Sequence, residues 1–452
     1  MGCVVTNRQS ITRLYNTEIV YMKKWTGKLF TPRGLSGINT IIAAELREIG
    51  LTKLKMEKDM HISGISDLRR LGNLRVPQSL WVPLATAEVE SVNDVARVID
   101  QIDWSNVPKL NSHGPRITIS ADNLLFKNES ELLEVLRQKS GDTGSSEFSM
   151  RIDQDNQLSL SLNAIPPRPW LETPMELTIG EKSADWWSVN AADVSRPRRP
   201  SDSLIKLFRN ESSLSCLCAA LVRISPVITW LDTEKADELL VWDPFVGNGA
   251  LLLEILQRIA DRPSSIPKHL TIVGNVKTKD SLELVERRLS KFVNSRDGIL
   301  SEVDSTEGVI EEVRPRGRKS VRSSPVEPDA PFDEECANRK IHTQTIRIGD
   351  TVVDLHLTTV AFTETLPYIN GGVVMSHIPK TYNELTGIDK HELSEWTAFG
   401  NLIRSRGNAF EAFFLTETFS FAKYAKLKFS KLFHLVSPSG KSVGHYLRWI
   451  GV

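Results

Sequence analysis

The residues best suited to chemistry lie in one short stretch, Asp243-Pro244-Phe245-Val246-Gly247-Asn248-Gly249. It follows an apolar run over 239–242 and leads into Ala250-Leu251-Leu252, where a helical pattern begins. Paired glycines permit a tight turn and let a ligand approach the backbone closely. A strand ending in a carboxylate, then such a turn, then a helix is the ligand-binding edge of a doubly wound sheet. Three ligands compete for it. A nucleoside triphosphate would want Lys and Ser or Thr directly after the loop, but Ala250-Leu251 stand there. A dinucleotide would want a third glycine where Leu252 stands. S-adenosylmethionine needs neither, since it carries no phosphate, and its ammonium group favours a nearby carboxylate such as Asp243. A purely structural turn is the remaining alternative. The candidate cofactor residues here are Asp243, Pro244, Phe245, Gly247, Asn248 and Gly249.

The elements that must position this turn read as α/β from about residue 201. An apolar helix over 214–224 precedes a buried strand over 239–243, and a helix runs on through 259. A strand over 270–274 and a helix over 281–292 follow, an alternation that signals a parallel sheet. Residues 297–339 are rich in Glu, Arg, Ser and Pro, which predicts a disordered insertion. Strands resume at 352–358, 371–375 and 412–416, and 431–436 with 442–449 predicts a terminal hairpin. Ahead of this domain, a strand at 28–31, an Ile-rich helix stopped by Gly50 and a strand at 51–56 make a small α+β part over 28–60. A second α+β unit over 61–165 holds a strand with Pro83 inside it, helices at 92–99 and 129–137, and strands at 116–120 and 158–162. Prolines at 166, 167, 169 and 174, then Arg196-Pro197-Arg198-Arg199-Pro200, predict a linker over 166–200.

On these residues the chain resembles a known family. The segment from Asp243 to Glu254 is similar to the Asp-Pro-Phe-Cys-Gly-Ser-Gly-Thr loop of RNA methyltransferases with an N-terminal THUMP domain. It resembles most the bacterial large-subunit ribosomal RNA guanine-N2 methyltransferases. Pro32-Arg33-Gly34-Leu35 is similar to the family's opening, and Ile102-Asp103-Trp104 with residues 116–125 resembles its THUMP segment. Leu415-Thr416 and residues 426–448 resemble its last strands. The resemblance implies an α/β class I, Rossmann-like methyltransferase domain over 201–452, preceded by an α+β ferredoxin-like and THUMP RNA-binding module. It implies S-adenosylmethionine as cofactor and an exocyclic amine of a flipped guanine as substrate.

The family grips that amine with Asn-Pro-Pro-Tyr after the fourth strand. Here Ser376-His377-Ile378-Pro379-Lys380 follows the apolar run 371–375, and Tyr382 is the nearest ring. Ser376, His377 and Pro379 are therefore the candidate catalytic residues, Ser376 standing where Asn is expected. His377 reads either as a base-gripping group or as a structural histidine. The acidic residue that usually ends the second strand and holds the cofactor ribose is replaced by Asn275, with Asp280 the first carboxylate beyond it. The family's Asp before Phe, near the adenine, appears as Ala361-Phe362, which leaves Phe362 as a cofactor candidate. Two readings stay open: an active methyltransferase, or a degenerate homologue serving as an RNA-binding or ribosome-assembly factor.

Composition sets the remaining bounds. The chain has 452 residues, 40% hydrophobic and 25% charged, and 56 basic against 56 acidic side chains. No apolar run reaches the roughly 18 residues of a membrane span. Cys3, Cys216, Cys218 and Cys336 have no paired zinc spacing and read as reduced thiols, so no metal is expected. Zero net charge hides two basic ends. Arg8, Arg13, Lys23, Lys24, Lys28 and Arg33 face only Glu18 before Glu45, and no acidic residue follows Glu417. Such ends fit either a polyanion partner or a solvated basic face; the family resemblance implies RNA, rRNA in preference to tRNA, with ribosomal precursor particles as a candidate partner. Residues 1–27 read as a flexible or targeting segment. They are Arg-bearing and acid-poor as in a mitochondrial or plastid transit peptide, while Gly2 with Thr6 also matches a myristoylation pattern.

Overall fold

The computed structural model describes residues 25–31, 35–51, 55–56, 61–65, 68–107, 116–121, 129–140, 147–165, 168, 170–171, 210–233, 236–262, 264, 266–295, 300–308, 341–360, 362, 371–378, 390–417, 420–438 and 440–451. They form two compact units. The first contains residues 25–30 and 44–165, the second 31–43 and those from 168 onward.

The first unit opens with β1 (Trp25–Phe30), and the division between the units falls inside α1 (Asn39–Glu48). Then come β2 (Lys55–Met56), β3 (His61–Ile65), β4 (Ser79–Glu88), α2 (Val92–Asp100), β5 (Arg116–Ala121), α3 (Glu129–Ser140), β6 (Glu147–Ile152) and β7 (Gln157–Asn163). All seven strands belong to one sheet, ordered β2-β3-β1-β4-β7-β6-β5. The parts expected as 28–60 and 61–165 thus share a continuous sheet, because β1 pairs antiparallel with both β3 and β4. Strict alternation buries Leu158, Leu160 and Leu162 on one face of β7. Ser91 caps α2 by accepting from the Asp94 N–H at 3.3 Å. The Ile102-Asp103-Trp104 motif performs local work: Trp104 Nε1 donates to the Ile99 carbonyl at 3.1 Å and Asp103 accepts from the Ser105 N–H at 3.1 Å.

The second unit begins with α4 (Glu211–Ile224) and α5 (Pro226–Asp232), then β8 (Glu238–Asp243), α6 (Ala250–Asp261), β9 (Lys268–Asn275) and α7 (Lys279–Asn294). It continues with β10 (Leu300–Gly308), β11 (Ile341–Ile348), β12 (Thr351–Thr358), β13 (Gly372–Ile378), α8 (Lys390–Ser405), β14 (Phe410–Thr416), α9 (Ser420–Ala425), β15 (Ser430–Val436) and β16 (Ser442–Ile450). The sheet order is β10-β11-β12-β9-β8-β13-β14-β16-β15. Strands β12, β9, β8, β13 and β14 run parallel, and antiparallel pairs flank them on both sides. From β8 the chain winds outward to β9 and β12, then crosses back to β13 and β14. The order therefore reverses between β8 and β13, a switch point of the kind beside which open α/β sheets bind ligands at the carboxyl ends of their strands. Only Val373↔Val241 and Val374↔Trp242 join these two strands. No single described helix is long and apolar enough to cross a membrane.

Several expectations are corrected here. The insertion does not begin at 297, because residues 300–308 pair with β11 as an edge strand. An edge strand needs no apolar face, so its charged composition hid it. Strand β11 was missed beside that segment, although Gln344, Ile346 and Ile348 are buried. Arg168 and Trp170, within the expected linker, are buried in the second unit, where Trp170 packs edge-on against Phe292. The rest of the expected insertion, residues 309–339, lies outside the described residues, as do residues 1–24 and 172–200.

Candidate functional site

The turn after β8 is shaped by its glycines. Gly247 and Gly249 have φ of +58° and +79°, in the left-handed region that L side chains rarely adopt. Gly249 is also the N-cap of α6. A Cβ on Gly249 would come within 3.1 Å of Val285, so this glycine lets the turn pack on α7. A Cβ on Gly247 would meet nothing nearer than the Phe245 carbonyl at 3.9 Å, and Gly247 is exposed. The turn therefore presents open backbone at Gly247. Asn248 stiffens it: its side chain accepts from the Ala250 N–H at 3.2 Å, and its carbonyl accepts from Arg288 Nη1 at 2.9 Å. Val246 N–H donates to the Asn275 carbonyl at 3.1 Å and ties the turn to β9.

The helix that starts at the turn is anchored by a buried charge cluster. Glu254 is 1% exposed, and its carboxylate accepts from Arg168 Nε at 2.6 Å and from the Ser215 hydroxyl. Cys218 lies buried in α4, where burial and then the Glu254 and Asp243 carboxylates push its thiol well above the usual range. It therefore stays a protonated, unreactive thiol. Among the described residues, no cluster of His, Cys, Asp and Glu is arranged to hold a metal ion.

Asp243 and Ser376 are brought together across the switch point. The Ser376 hydroxyl, wholly buried, donates to Asp243 Oδ1, which also accepts from the Phe245 N–H at 3.1 Å. Burial pushes the Asp243 carboxyl up to about 7, with the Ser376 and Phe245 hydrogen bonds opposing the shift. Near neutral pH this side chain is close to half protonated.

The expected position of Ser376 is corrected. It does not follow the fourth strand: β13 runs on through Ile378, and Ser376, His377 and Ile378 pair with Phe414, Leu415 and Thr416 of β14. A polar residue persists inside the strand because Asp243 offers it a buried acceptor. His377 stays partly accessible, at 15%, with its Nε2 3.3 Å from Glu417 Oε1. Sequence reasoning noted Glu417 only as the last acidic residue, although its place just after β14 sets it at the carboxyl edge of the sheet. Pro379, Ala361 and Tyr382 lie outside the described residues.

The other candidates are largely engaged within the protein. Asn275 is 6% exposed, accepting from Trp242 Nε1 at 2.8 Å and donating to the Val360 carbonyl at 2.9 Å. Its side chain joins β8, β9 and the end of β12. Asp280, in the first turn of α7, is exposed. Pro244 is buried. Phe245 and Phe362 pack at 5.5 Å ring separation, and each meets Phe399 of α8. Phe362 is 8% exposed, at the edge of the large aromatic core under the sheet.

No family model and no curated protein matches the chain. Solved structures do, at low similarity. SMU.472, assigned as a methyltransferase and crystallised with SAH, is 11% identical at a TM-score of 0.43, covering 95% of this chain and 98% of its own. A structure described as a possible methylase from Clostridium difficile 630 is 11% identical at 0.44, covering 95% and 99%. A predicted N6-adenine-specific DNA methylase from Listeria monocytogenes is 10% identical at 0.42, covering 95% and 97%. Likenesses this distant carry no argument about activity, so the functional reading rests on the geometry of this chain.

Proposed function

We propose that this protein is an S-adenosylmethionine-dependent RNA methyltransferase-like protein, directed at the exocyclic amine of a guanine in rRNA or tRNA. The observation that carries the cofactor reading is the open, left-handed backbone at Gly247, at the carboxyl end of β8 beside the switch point. The left-handed φ accounts for glycine at this position, and the empty space around its Cα leaves the backbone accessible to a ligand. Open backbone at Gly247 would let an adenosyl ligand approach the turn closely. When bound, the cofactor supplies an electrophilic methyl group. Asp280, exposed in the first turn of α7, is the first carboxylate after β9 and the candidate to hold a ribose hydroxyl, whereas both side-chain groups of Asn275 are already engaged. The basic ends of the chain and the resemblance to THUMP methyltransferases support RNA as the partner.

A second reading has its own support. The Ser376 hydroxyl donates to Asp243 inside the sheet and is not presented to a substrate. This favours a homologue that retains the cofactor cradle and RNA binding but lacks the base grip, as an assembly factor would. Isothermal titration with S-adenosylmethionine tests the cofactor reading. Micromolar binding lost on Gly247→Trp supports it, and absent or millimolar binding sinks it. Methyl transfer from labelled cofactor to unmodified rRNA then separates the two readings.

A further inference from the structure

After Glu417 the chain carries no acidic residue, yet Lys423, Lys426, Lys428, Lys431 and Lys441 follow, and all are exposed. Lys423, Lys426, Lys428 and Lys441 make no ion pair with any described residue; Lys423 lies over the Tyr424 ring at 5.6 Å. Arg448 is the exception, since its guanidinium is held by Glu411.

The bland account is edge protection. Strand β15 ends the nine-stranded sheet, and lysines on an edge strand discourage pairing with other chains. That account covers Lys431, the one lysine within β15. It leaves out Lys423 in α9, Lys426 and Lys428 in the turn before the strand, and Lys441 in the hairpin turn. The backbone presenting them is braced. Arg404 Nη1 donates to the Ala425 and Lys426 carbonyls at 2.9 and 2.7 Å, holding the turn. Ser36 bridges Val436 in both directions, at 3.0 and 3.2 Å, and pins the far end of β15. Residues 428–436 in extended form span about 26 Å, long enough to follow several consecutive phosphates.

We propose that α9 and the β15–β16 hairpin form a contact surface for the phosphate backbone of RNA. The inference rests on the RNA reading above and gives it a place in the second unit. Phosphate contacts of this kind orient a nucleic acid without reading its sequence. The surface would bind RNA of any sequence, and substrate choice would lie elsewhere.

The test compares the full chain with Lys423→Gln/Lys428→Gln/Lys441→Gln, using anisotropy of a labelled mixed-sequence RNA across a salt series. Each phosphate contact on a single strand contributes about 0.7 to the log–log salt slope, so the slope should flatten by about 2. Affinity at about 0.1 M salt should fall about tenfold or more. A control variant that removes two basic side chains elsewhere, Arg287→Gln/Lys291→Gln on α7, should bind as the wild type does, and S-adenosylmethionine titration should be unchanged in both. Four outcomes would overturn the proposal: an unaltered slope, an equal loss in the α7 variant, self-association of the triple variant with RNA binding intact, or wild-type binding to phosphatidylserine vesicles but not RNA. The methyltransferase reading fails separately, through the cofactor titration.

Discussion

Two neighbouring strand ends, the turn after β8 and the last residues of β13, meet at the same switch point and are built in opposite ways. The turn is glycine-rich, left-handed and open at Gly247. The end of β13 is filled: Ser376 is wholly buried and spends its hydroxyl on Asp243. One strand end thus leaves backbone open at Gly247, and the other is closed by an internally bonded side chain. Holding a cofactor and acting on a second substrate are separable demands, and the geometry suits the proposed first role more plainly than the second.

The contrast can be broken at several points. The largest effect is expected on the turn's side. Arg168→Met leaves Glu254 as an unpaired buried charge and should cost about 3–5 kcal/mol in urea unfolding. A loss below about 1 kcal/mol would show that α6 is not anchored through this pair.

Asp243 gives the next effect, and its sign is opposite to that of a salt-bridged carboxylate. Its folded pKa, about 7, lies above the ordinary carboxyl value of 3.8, so between those values the folded state holds a proton that the unfolded state has released. Stability is therefore greatest below about pH 4 for this group, falls as pH rises to about 7, and is level above it. The drop is on the order of 4 kcal/mol. Asp243→Asn should remove it, which a urea-midpoint profile against pH would reveal; an unchanged profile would refute the assignment. If the carboxylate also receives the cofactor ammonium, S-adenosylmethionine affinity should rise as pH passes through 7.

Smaller effects sharpen the difference between the two glycines. Gly249→Ala should cost about 2 kcal/mol, from left-handed backbone plus the approach to Val285. Gly247→Ala should cost about 1 kcal/mol, since backbone alone is at stake. Equal costs would mean that Gly247 is not open. Smallest is Ser376→Ala, at about 1 kcal/mol for one buried hydrogen bond. It should also move the Asp243 midpoint upward, because that hydrogen bond favours the charged form. A downward move would show that Ser376 does not donate to Asp243.

The sequence made the turn legible because all its signals are local. An apolar strand, two glycines and an apolar helix lie within one short window, and β8 and α6 follow them closely. The end of β13 was harder to read. Ser376 looked like the first residue of a loop because its partner, Asp243, is 133 residues away in the chain. Arg168 was read as linker for the same reason: the prolines around it are visible, whereas Glu254 is distant. Strand β10 escaped because backbone pairing at a sheet edge leaves little trace in side-chain pattern. What sequence reasoning missed was mostly polar groups whose acceptors lie on other elements.

The antiparallel pair β10–β11 has a consequence for how this chain tolerates change. Residues 309–340 join two strands that lie outside the parallel core, while the tight turn at Gly349-Asp350 alone sets the register of β11 on β12. Doubling the length of such a connection costs only about 0.6 kcal/mol in closure entropy. This connection is thus a natural port for grafting. A reporter or affinity module placed there should leave the glycine turn, the Asp243–Ser376 contact and the basic hairpin as they are.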